Sequence, residues 1–469
     1  MKIHNTLTKT VDEFAPLDGQ TARIYTCGPT VYNDAHIGNL SSYIYADILR
    51  RALRLAGFEI RHVINFTDVD DKTIRRSREQ YPELEPNEAL QKLTRHYEQV
   101  FRNDLVSIGN DISDIKFVRA TESIDDIQNL IRKLLDVGAA YVADDGIYFD
   151  IAAYRRERKY GQLSKIDLPS EMRARIDNDE YDKESAQDFA LWKKQKPGEP
   201  AWDFEIAGNT TRGRPGWHIE CSAMSVKNLG QPFDIHTGAV DLIFPHHENE
   251  IAQSTAGDQP ETYARWFVHN EHLLVDGAKM AKSKNNFYTL NDLVKKGFSP
   301  LDFRMLILQS HFQSPSNFSW DNLTAARGRL KAWQAVAELR WQTTDVDDDG
   351  QQEIVRGLLV RAGAALMENL NTPEALKHID EAISFISKDP SNISHEALRT
   401  IFDFVDRNLG LSILSSTPDI DDNIKDMISI RQTERASGDY ARSDEIRDSL
   451  RENGIELRDT SAGVIWARN

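Results

Sequence analysis

The chain has very little cysteine: Cys27 and Cys221 are the only two among 469 residues. It also has no apolar run approaching the ~18 residues that a membrane span requires, and its first residues contain no apolar stretch of signal-peptide length. Because nothing marks the chain as secreted, a disulfide is not expected, since the cytosol keeps thiols reduced. We therefore expect a cytoplasmic protein with no membrane partner and two free thiols.

Positive charge is also scarce, since 57 lysines and arginines against 74 acidic residues give a net charge of −17. This balance excludes indiscriminate nucleic-acid binding, which depends on a basic surface, but not a specific RNA partner met by local patches. The tail, 431–469, differs: it has seven arginines and no lysine against eight acidic residues. Arginine suits bidentate and stacking contacts with RNA, although a solvated helix pair has the same composition.

A strand–helix–strand pattern occupies the first part of the chain. The segment RIYTCGP (23–29) is typical of a strand that runs into a loop, and the run at 60–71 predicts a second strand ending in a carboxylate-rich turn. Between them, apolar residues recur at helical spacing before a glycine that predicts the helix end: Ile44, Ile48, Ala52, Leu55 and then Gly57. Ligands of such βαβ units bind beyond the strand C-termini, where Cys27 and Thr67 fall.

The rest of the chain is long enough for three or four domains in all. Residues 86–210 are rich in helical patterns, with a hairpin pattern at 140–150, and we interpret them as an insertion between two halves of a sheet domain. One further strand is predicted over 265–277, and helices are predicted from about residue 299. Acidic, turn-rich stretches at 343–352 and 415–422 predict linkers.

Four residues predict a metal site. His246 and Glu250 are four apart in FPHHENE (244–250), so a helix would project both from one face, and the two cysteines complete a set that Zn²⁺ accepts. Structural zinc sites usually use cysteine and histidine alone, so a carboxylate ligand indicates a site with a functional rather than a purely structural role. The alternatives are that Cys27 and Cys221 are buried small hydrophobes and that the HHENE run is a solvated helix start.

Two short motifs suit a nucleotide. In HIGN (36–39), Gly38 allows close backbone approach, the helix N-terminus offers N–H groups to phosphate, and His36 adds a donor. KMAKS (279–283) places Lys279 and Lys282 on one loop, where they would clamp a triphosphate and stabilise the charge that develops in phosphoryl or adenylyl transfer. Each motif alone is weak, but their order and their spacing of about 240 residues are specific.

With these motifs, the chain resembles the cysteinyl-tRNA synthetase family of class I aminoacyl-tRNA synthetases. The resemblance runs end to end through NTLT, CGPTVYNDAHIGN, NFTDVDDK, GWHIECSAMS, DIHTGAVDLIFPHHENEIAQS and KMAKS. It implies an α/β fold with six parts: a Rossmann-type parallel-sheet catalytic core (1–120), a connective insertion (121–210), the second half of the core (211–262), a stem-contact fold with the lysine loop (263–322), an α-helical bundle (323–414) and a small anticodon-binding domain (415–469).

The resemblance also implies roles for residues at matching motif positions. Zinc ligands would be Cys27, Cys221, His246 and Glu250, and the amino-acid pocket would contain Gly28, Thr67, Trp217, His236 and Asp241. The ATP site would contain His36, Gly38, Asn39, Lys279, Lys282 and Ser283, of which His36, Asn39, Lys279 and Lys282 would be catalytic. The anticodon would be read by Arg435, Tyr440, Asp444 and Asp459.

Two positions depart from the family pattern. Asn39 stands where the signature usually ends in histidine. Asparagine keeps a neutral hydrogen-bond donor at this position but, unlike histidine, can never be cationic. Ala281 stands where serine is usual, which removes a hydroxyl and keeps both lysines. Both departures bear on the rate of activation rather than on the type of reaction.

The implied activity is ATP- and Mg²⁺-dependent activation of L-cysteine, followed by transfer to tRNA(Cys), by a monomeric enzyme. Three alternatives stay open: a cysteine ligase that uses an amino-sugar acceptor, a non-catalytic RNA-binding paralogue, and a zinc-stabilised scaffold. The tail at 431–469 disfavours the first, and the intact metal and lysine motifs disfavour the other two.

Overall fold

A five-stranded parallel sheet forms the centre of the first of two units in this computed structural model. The structure describes residues 1–164, 175–176, 188–206, 208–280, 286–343, 345–346, 348–390, 392–460 and 463–468. Unit one comprises Met1–Lys296 with Phe312–Ser316, and unit two comprises Gly297–His311 with Asn317–Asn469. The six-part division expected above is finer than this and stays a prediction.

Unit one alternates strands with helices. Its strands are β1 (Lys2–Asn5), β2 (Thr10–Glu13), β3 (Thr21–Thr26), β4 (Glu59–Phe66), β5 (Ile115–Arg119), β6 (Ala140–Ala143), β7 (Gly146–Phe149), β8 (Arg175–Ile176), β9 (Asp188–Lys194), β10 (Trp202–Ile206), β11 (Asn209–Pro215), β12 (Phe233–Ala239), β13 (Ala264–Asn270), β14 (Leu273–Val275) and β15 (Ala278–Lys279). Its helices are α1 (Ile37–Leu55), α2 (Asp71–Gln80), α3 (Pro86–Ser107), α4 (Ile124–Asp136), α5 (Ile151–Glu157), α6 (Trp217–Leu229), α7 (Glu248–Thr255) and α8 (Leu290–Lys295).

The central sheet has the order β13-β12-β3-β4-β5, and every neighbouring pair is parallel. Parallel strands require crossover connections, and α1 supplies the one between β3 and β4. The predicted strand–helix–strand unit is therefore confirmed. Because all five strands run the same way, their carboxyl ends meet at one edge of the sheet.

Helix α1 begins and ends where the sequence predicts. The His36 side chain accepts from the Asn39 N–H at its start, and Gly57, with φ of +91°, follows its last turn. Three of the four predicted core positions are buried, but Leu55 is 37% exposed, and Leu53 is buried instead. At 3.6 residues per turn, position 55 stays on the face of Ile44 and Ile48. The prediction was wrong there because Leu55 is the last residue of the helix, beyond the last buried one, Leu53.

The insertion contains more strands than its helical pattern predicted. Its hairpin, β6 with β7, is confirmed, with Ala140 opposite Phe149. This hairpin extends into a sheet of order β10-β11-β9-β7-β6, with β8 pairing with β9. Strands β9 to β11 were missed because charged residues interrupt their apolar runs, and cross-strand packing overrides local propensity.

The single strand predicted over 265–277 is two strands, β13 and β14. Strand β13 leaves the central sheet after Asn270, which lies opposite Ala239. The next N–H, that of Glu271, donates instead to the Phe312 carbonyl at 2.8 Å. The chain therefore turns out of the sheet two residues before β14 begins.

Unit two is predominantly helical, which confirms the prediction of helices from about residue 299. Its helices are α9 (Pro300–Leu308), α10 (Trp320–Glu338), α11 (Asp349–Met367), α12 (Thr372–Ile386), α13 (His395–Leu409), α14 (Ile413–Ser416), α15 (Asp422–Ser437) and α16 (Tyr440–Glu452). One short strand, β16 (Ser316–Phe318), precedes α10 in the sequence. The predicted linker at 343–352 is shorter than expected, because Asp348 caps α11 by accepting from the Gln351 N–H.

The chain ends in a small module with a core of its own. Helices α15 and α16 are followed by the antiparallel hairpin of β17 (Ile455–Thr460) and β18 (Gly463–Arg468). Its buried cluster is Ile420, Ile428, Ile446, Leu450, Ile455, Leu457 and Trp466. No helix within the described ranges is both long enough and apolar enough to cross a membrane.

Candidate active site

Residues of three sheet strands meet at the carboxyl edge of the central sheet. Cys27 directly follows β3, Thr67 directly follows β4, and His236 lies inside β12. Backbone bonds lock the first two loops together, because the Thr67 N–H donates to the Pro29 carbonyl at 3.2 Å. The predicted site residues Cys27 and Thr67 therefore occupy the edge at which parallel sheets bind their ligands.

The four predicted metal ligands lie together. One ligand atom from each of Cys27, Cys221, His246 and Glu250 lies within 4.8 Å of every other, and all four residues are buried. His246 lies in a kinked turn, Ile243–His247, that runs into α7, and Phe244 within this turn has a non-helical backbone. The predicted i, i+4 contact is present, since His246 Nε2 lies 3.0 Å from Glu250 Oε1.

Two members of this cluster, Cys221 and Glu250, have pKa values shifted toward their anionic forms, which suits a divalent metal. Burial opposes ionisation of the Cys221 thiol, but its hydrogen bond with Cys27 and the adjacent His246 lower its pKa to about 6. Burial likewise opposes ionisation of Glu250, yet His236 and His246 hold its pKa well below the usual value. Two sulfurs, one imidazole and one carboxylate, mutually close and shielded from water, are a donor set that Zn²⁺ accepts.

His247 is a potential ligand that the sequence analysis missed. Its Nε2 lies 3.3 Å from Cys27 Sγ, and Cys27, His236, His247 and Glu250 form a second ligand-like group that overlaps the first. The other ring nitrogen of His247 lies 2.8 Å from His269 Nε2. The paired histidines of FPHHENE were the available signal, but the i, i+4 rule selects only the first of them.

Glu250 is held through its second oxygen by two further side chains. His236 Nε2 lies 2.9 Å from Oε2, and the Tyr263 hydroxyl donates to the same oxygen at 2.8 Å. Burial and the charge of Glu250 keep the pKa of Tyr263 well above its usual value, so the hydroxyl stays protonated. Such contacts fix a ligating carboxylate and leave its other oxygen for the metal.

Only some of the predicted amino-acid pocket residues lie at this cluster. The Trp217 ring stacks on His246 with centroids 4.2 Å apart, and Thr67 is buried. The Gly28 N–H donates to Asn65 Oδ1 at 2.8 Å, and a Cβ at Gly28 would lie 1.5 Å from the Asn65 carbonyl oxygen. Asp241 is exposed in a 3₁₀ turn, and within the described part of the chain no contact joins it to the cluster.

The two nucleotide motifs lie against each other. A Cβ on Gly38 would lie 2.1 Å from the Met280 side chain, so HIGN packs against the start of KMAKS. The Ile37 N–H also donates to the Tyr288 carbonyl at 2.9 Å. Asn39 is exposed at the first turn of α1.

Of the two lysines of KMAKS, the structure describes only Lys279. Lys279 is exposed and ends β15 opposite Leu274, rather than lying on a loop as predicted, because it pairs in this strand. Lys282, Ser283 and Ala281 lie outside the described residues.

The predicted anticodon residues lie in the C-terminal module. Tyr440 is 65% exposed at the start of α16, and Asp444 is exposed one turn later. Asp459 pairs with Arg435 and Arg431, and the hydrogen bond from Arg431 is the main reason why its pKa falls to about 2. Arg431 was not among the predicted residues.

Known proteins match this chain over its whole length. Residues 13–328 match the tRNA synthetases class I (C) catalytic domain. A cysteine--tRNA ligase of Leptospira interrogans is 38% identical over 484 residues, covering 100% of this chain and 99% of the relative. The chain belongs to the cysteine--tRNA ligase family. Further family members include proteins of Solibacter usitatus, 39% identical over 488 residues, and Thermococcus onnurineus, 38% identical over 492 residues, each with 100% of this chain and 99% of the relative covered.

Solved structures of class I synthetases share the fold. A methionyl-tRNA synthetase from Mycobacterium tuberculosis, bound by methionyl-adenylate, matches with a TM-score of 0.57 at 12% identity, covering 85% of this chain and 89% of that one. An Agrobacterium radiobacter LeuRS, solved as a ternary complex with tRNA and LeuAMS, matches with a TM-score of 0.59 at 11% identity, covering 88% of each. The predicted α/β class with a parallel-sheet core is therefore confirmed for this ligase-family chain.

Proposed function

We propose that the protein activates L-cysteine with ATP·Mg²⁺ to cysteinyl-adenylate and then transfers the cysteinyl group to the 3′ end of tRNA(Cys). The observation that carries this proposal is the buried cluster of two thiols, one imidazole and one carboxylate at the carboxyl edge of the sheet. We also propose a cytoplasmic enzyme that acts as a monomer, and the cluster needs the residues of one chain only.

We infer one Zn²⁺ per chain, held by Cys27, Cys221, His246 and Glu250. When bound, it would supply a soft electrophilic position that favours a substrate thiolate over a serine hydroxyl. Losing such a ligand interaction costs more than the ~1–3 kcal/mol that one methylene provides in an apolar pocket. Selection at binding is therefore sufficient, and the mechanism needs no editing step.

The remaining pocket residues would hold the rest of the amino acid. We assign this task to Gly28, Thr67, Trp217, His236 and Asp241. The stacking of Trp217 on His246 supports the assignment for the tryptophan, since it places the indole beside the ligand cluster. His236 would act through Glu250, whose Oε2 it contacts.

Adenylate formation needs positioning and charge stabilisation rather than a general base. The cysteine carboxylate attacks the α-phosphorus of ATP, and the bond to the pyrophosphate oxygen breaks. We assign stabilisation of that charge to His36, Asn39, Lys279 and Lys282, with Gly38 and Ser283 beside the nucleotide. Contact between Gly38 and Met280 supports this assignment, because it joins HIGN to KMAKS.

In the second step, the terminal adenosine hydroxyl of the tRNA attacks the adenylate carbonyl, and AMP leaves. We assign anticodon recognition to Arg435, Tyr440, Asp444 and Asp459. The exposure of Tyr440 supports this, since unstacked bases of single-stranded RNA stack on aromatic rings.

Tyr263→Phe is expected to weaken zinc binding by about 10- to 100-fold, the usual effect of losing an outer contact to a ligand. The hydroxyl is the donor that fixes Glu250 Oε2 together with His236. Competition with a chelator measures the affinity directly. Phe303→Leu, a conservative change in buried helix α9, serves as the control, and equal zinc affinity in wild type and Tyr263→Phe would show that the hydroxyl does not orient Glu250.

The proposal is tested by measuring cysteine-dependent ATP–pyrophosphate exchange beside charging of tRNA with labelled cysteine. Both reactions are expected. Exchange without charging would favour the alternative of a cysteine ligase with an amino-sugar acceptor. Charging without exchange would be inconsistent with an adenylate intermediate. Absence of both reactions would favour the alternative of a non-catalytic RNA-binding paralogue.

A further inference from the structure

Arg431 is a buried charge that no motif in the sequence predicted. Only 2% of the residue is exposed, although arginines are almost never fully buried unless paired. Its partner is Asp459: Nη1 donates to Oδ1 at 2.6 Å, and Nη2 donates to Oδ2 at 3.0 Å. This two-bonded geometry fixes the plane and the direction of the carboxylate.

The Asp459 carboxylate also contacts a third residue, Arg435. Arg435 lies four residues after Arg431 on α15, so both side chains project from one face of the helix. Its Nη1 donates to Oδ2 of the same Asp459 carboxylate. Whereas Arg431 is buried, 47% of the Arg435 side chain is exposed, so the chain of contacts runs from the interior of the module to its surface.

The contacts restrict what Asp459 itself can bind. A carboxylate offers about four acceptor positions, and the two arginines use three of them. A base that displaced Arg431 would leave a buried guanidinium without its partner, which is strongly unfavourable. The exposed N–H groups of Arg435 are therefore the better donors to an incoming base.

Apolar packing also holds the module together. Ile428 of α15, Leu450 of α16, and Leu457 of β17 belong to one apolar cluster that already joins these elements. Buried ion pairs are weak evidence for stability but can fix one geometry. A preordered side chain also loses less freedom when its ligand binds.

We propose that Arg431 is a positioning residue for RNA recognition: through Asp459, it orients the exposed guanidinium of Arg435 toward an unstacked base of the tRNA anticodon. This proposal rests on the proposed function, because it assumes that the C-terminal module contacts the anticodon. It adds a residue to that site and assigns Asp459 mainly to orientation rather than to direct reading.

A double-mutant cycle tests the proposal in the full-length protein. Arg431→Lys keeps the charge but loses the two-bonded geometry, and Arg435→Ala removes the group that is oriented. Arg431→Lys is expected to lower kcat/KM for tRNA charging by about tenfold, mainly by raising KM for tRNA. Cysteine-dependent pyrophosphate exchange is expected to stay within about twofold of wild type, because the adenylate forms without tRNA.

The decisive result comes from the double variant. In the Arg435→Ala background, Arg431→Lys should change charging by less than about twofold, because the group it positions is gone. Multiplicative losses from the two substitutions, unchanged charging in Arg431→Lys, or unchanged charging in Arg435→Ala would each overturn the proposal. Arg451→Lys is the matched control, because Arg451 forms an exposed ion pair with Asp448 on α16, and its charging should equal that of wild type.

Further measurements distinguish three cases: a misfolded variant, an error in the proposed function, and an error in the role of Arg431. Should Arg431→Lys unfold at the assay temperature, the whole cycle is measured below the unfolding midpoint of that variant, with the same outcomes. If the wild-type protein showed no cysteine-dependent exchange, the proposed function would be wrong. If wild type exchanges and charges normally while the cycle is multiplicative, only the role of Arg431 is wrong.

Discussion

Replacing Cys221 by serine is expected to lower zinc affinity by more than about 100-fold and to reduce cysteine-dependent pyrophosphate exchange at least as strongly, while the fold is retained. Loss of an outer contact alone costs about 10- to 100-fold in metal affinity, and this substitution removes a proposed direct ligand. Burial opposes ionisation of the Cys221 thiol, but Cys27 and His246 lower its pKa to about 6, whereas a serine hydroxyl gives up its proton far less readily and is a poorer ligand. Zinc content and exchange rate measure the two effects.

The fold is expected to survive because Cys221 lies within α6, where neighbouring residues pack into the core independently of the metal. Met224→Leu on the same helix is the control: Met224 is fully buried, and such a swap usually costs less than about 1.5 kcal/mol. The control should retain full zinc and full activity. A Cys221→Ser protein that kept its zinc and its exchange rate would show that Cys221 is only a packing residue.

Gly28→Ala is expected to have the largest effect on stability, lowering the free energy of unfolding by more than about 3 kcal/mol. The added Cβ would lie 1.5 Å from the carbonyl oxygen of Asn65 and 2.6 Å from its carbon. These are backbone atoms at the end of β4, which cannot rotate away as a side chain would. The displacement would also move Cys27, so activity should fall with stability.

Denaturant unfolding measures this change, with Gly357→Ala as the matched control. Gly357 is exposed on α11, and nothing lies within 4 Å of its added Cβ. Alanine in the interior of a helix is favoured over glycine by about 0.5–1 kcal/mol, so the control should be slightly stabilised. A Gly28→Ala protein as stable and as active as wild type would mean that β3 and β4 do not approach this closely.

The sequence predicted features that depend on local spacing. The periodicity of α1 located the crossover of the βαβ unit, and the stop at Gly57 was correct because this glycine takes a positive φ. The i, i+4 relation of His246 and Glu250 likewise placed two ligand groups in contact. Ligand chemistry and motif order then brought Cys27 and Cys221 to the same cluster, although 194 residues separate them.

What the sequence did not predict depends on contacts between distant segments. Tyr263 contacts Glu250 across the connection from α7 to β13, and Arg431 contacts Asp459 across the whole of α16. No periodicity links such residues, since their contact arises only when strands and helices pack. His247 was missed for a different reason. The prediction used the i, i+4 spacing from Glu250, which selects His246 and passes over its neighbour.

We propose that this cluster selects cysteine through a bound metal. The most direct measurement is pyrophosphate exchange with cysteine and with serine, on protein as purified, after zinc removal by a chelator, and after zinc is restored. We expect exchange with cysteine only, loss of that exchange on zinc removal, and its recovery when zinc returns. Exchange with cysteine at full rate in zinc-free protein, or equal exchange with serine, would contradict the account.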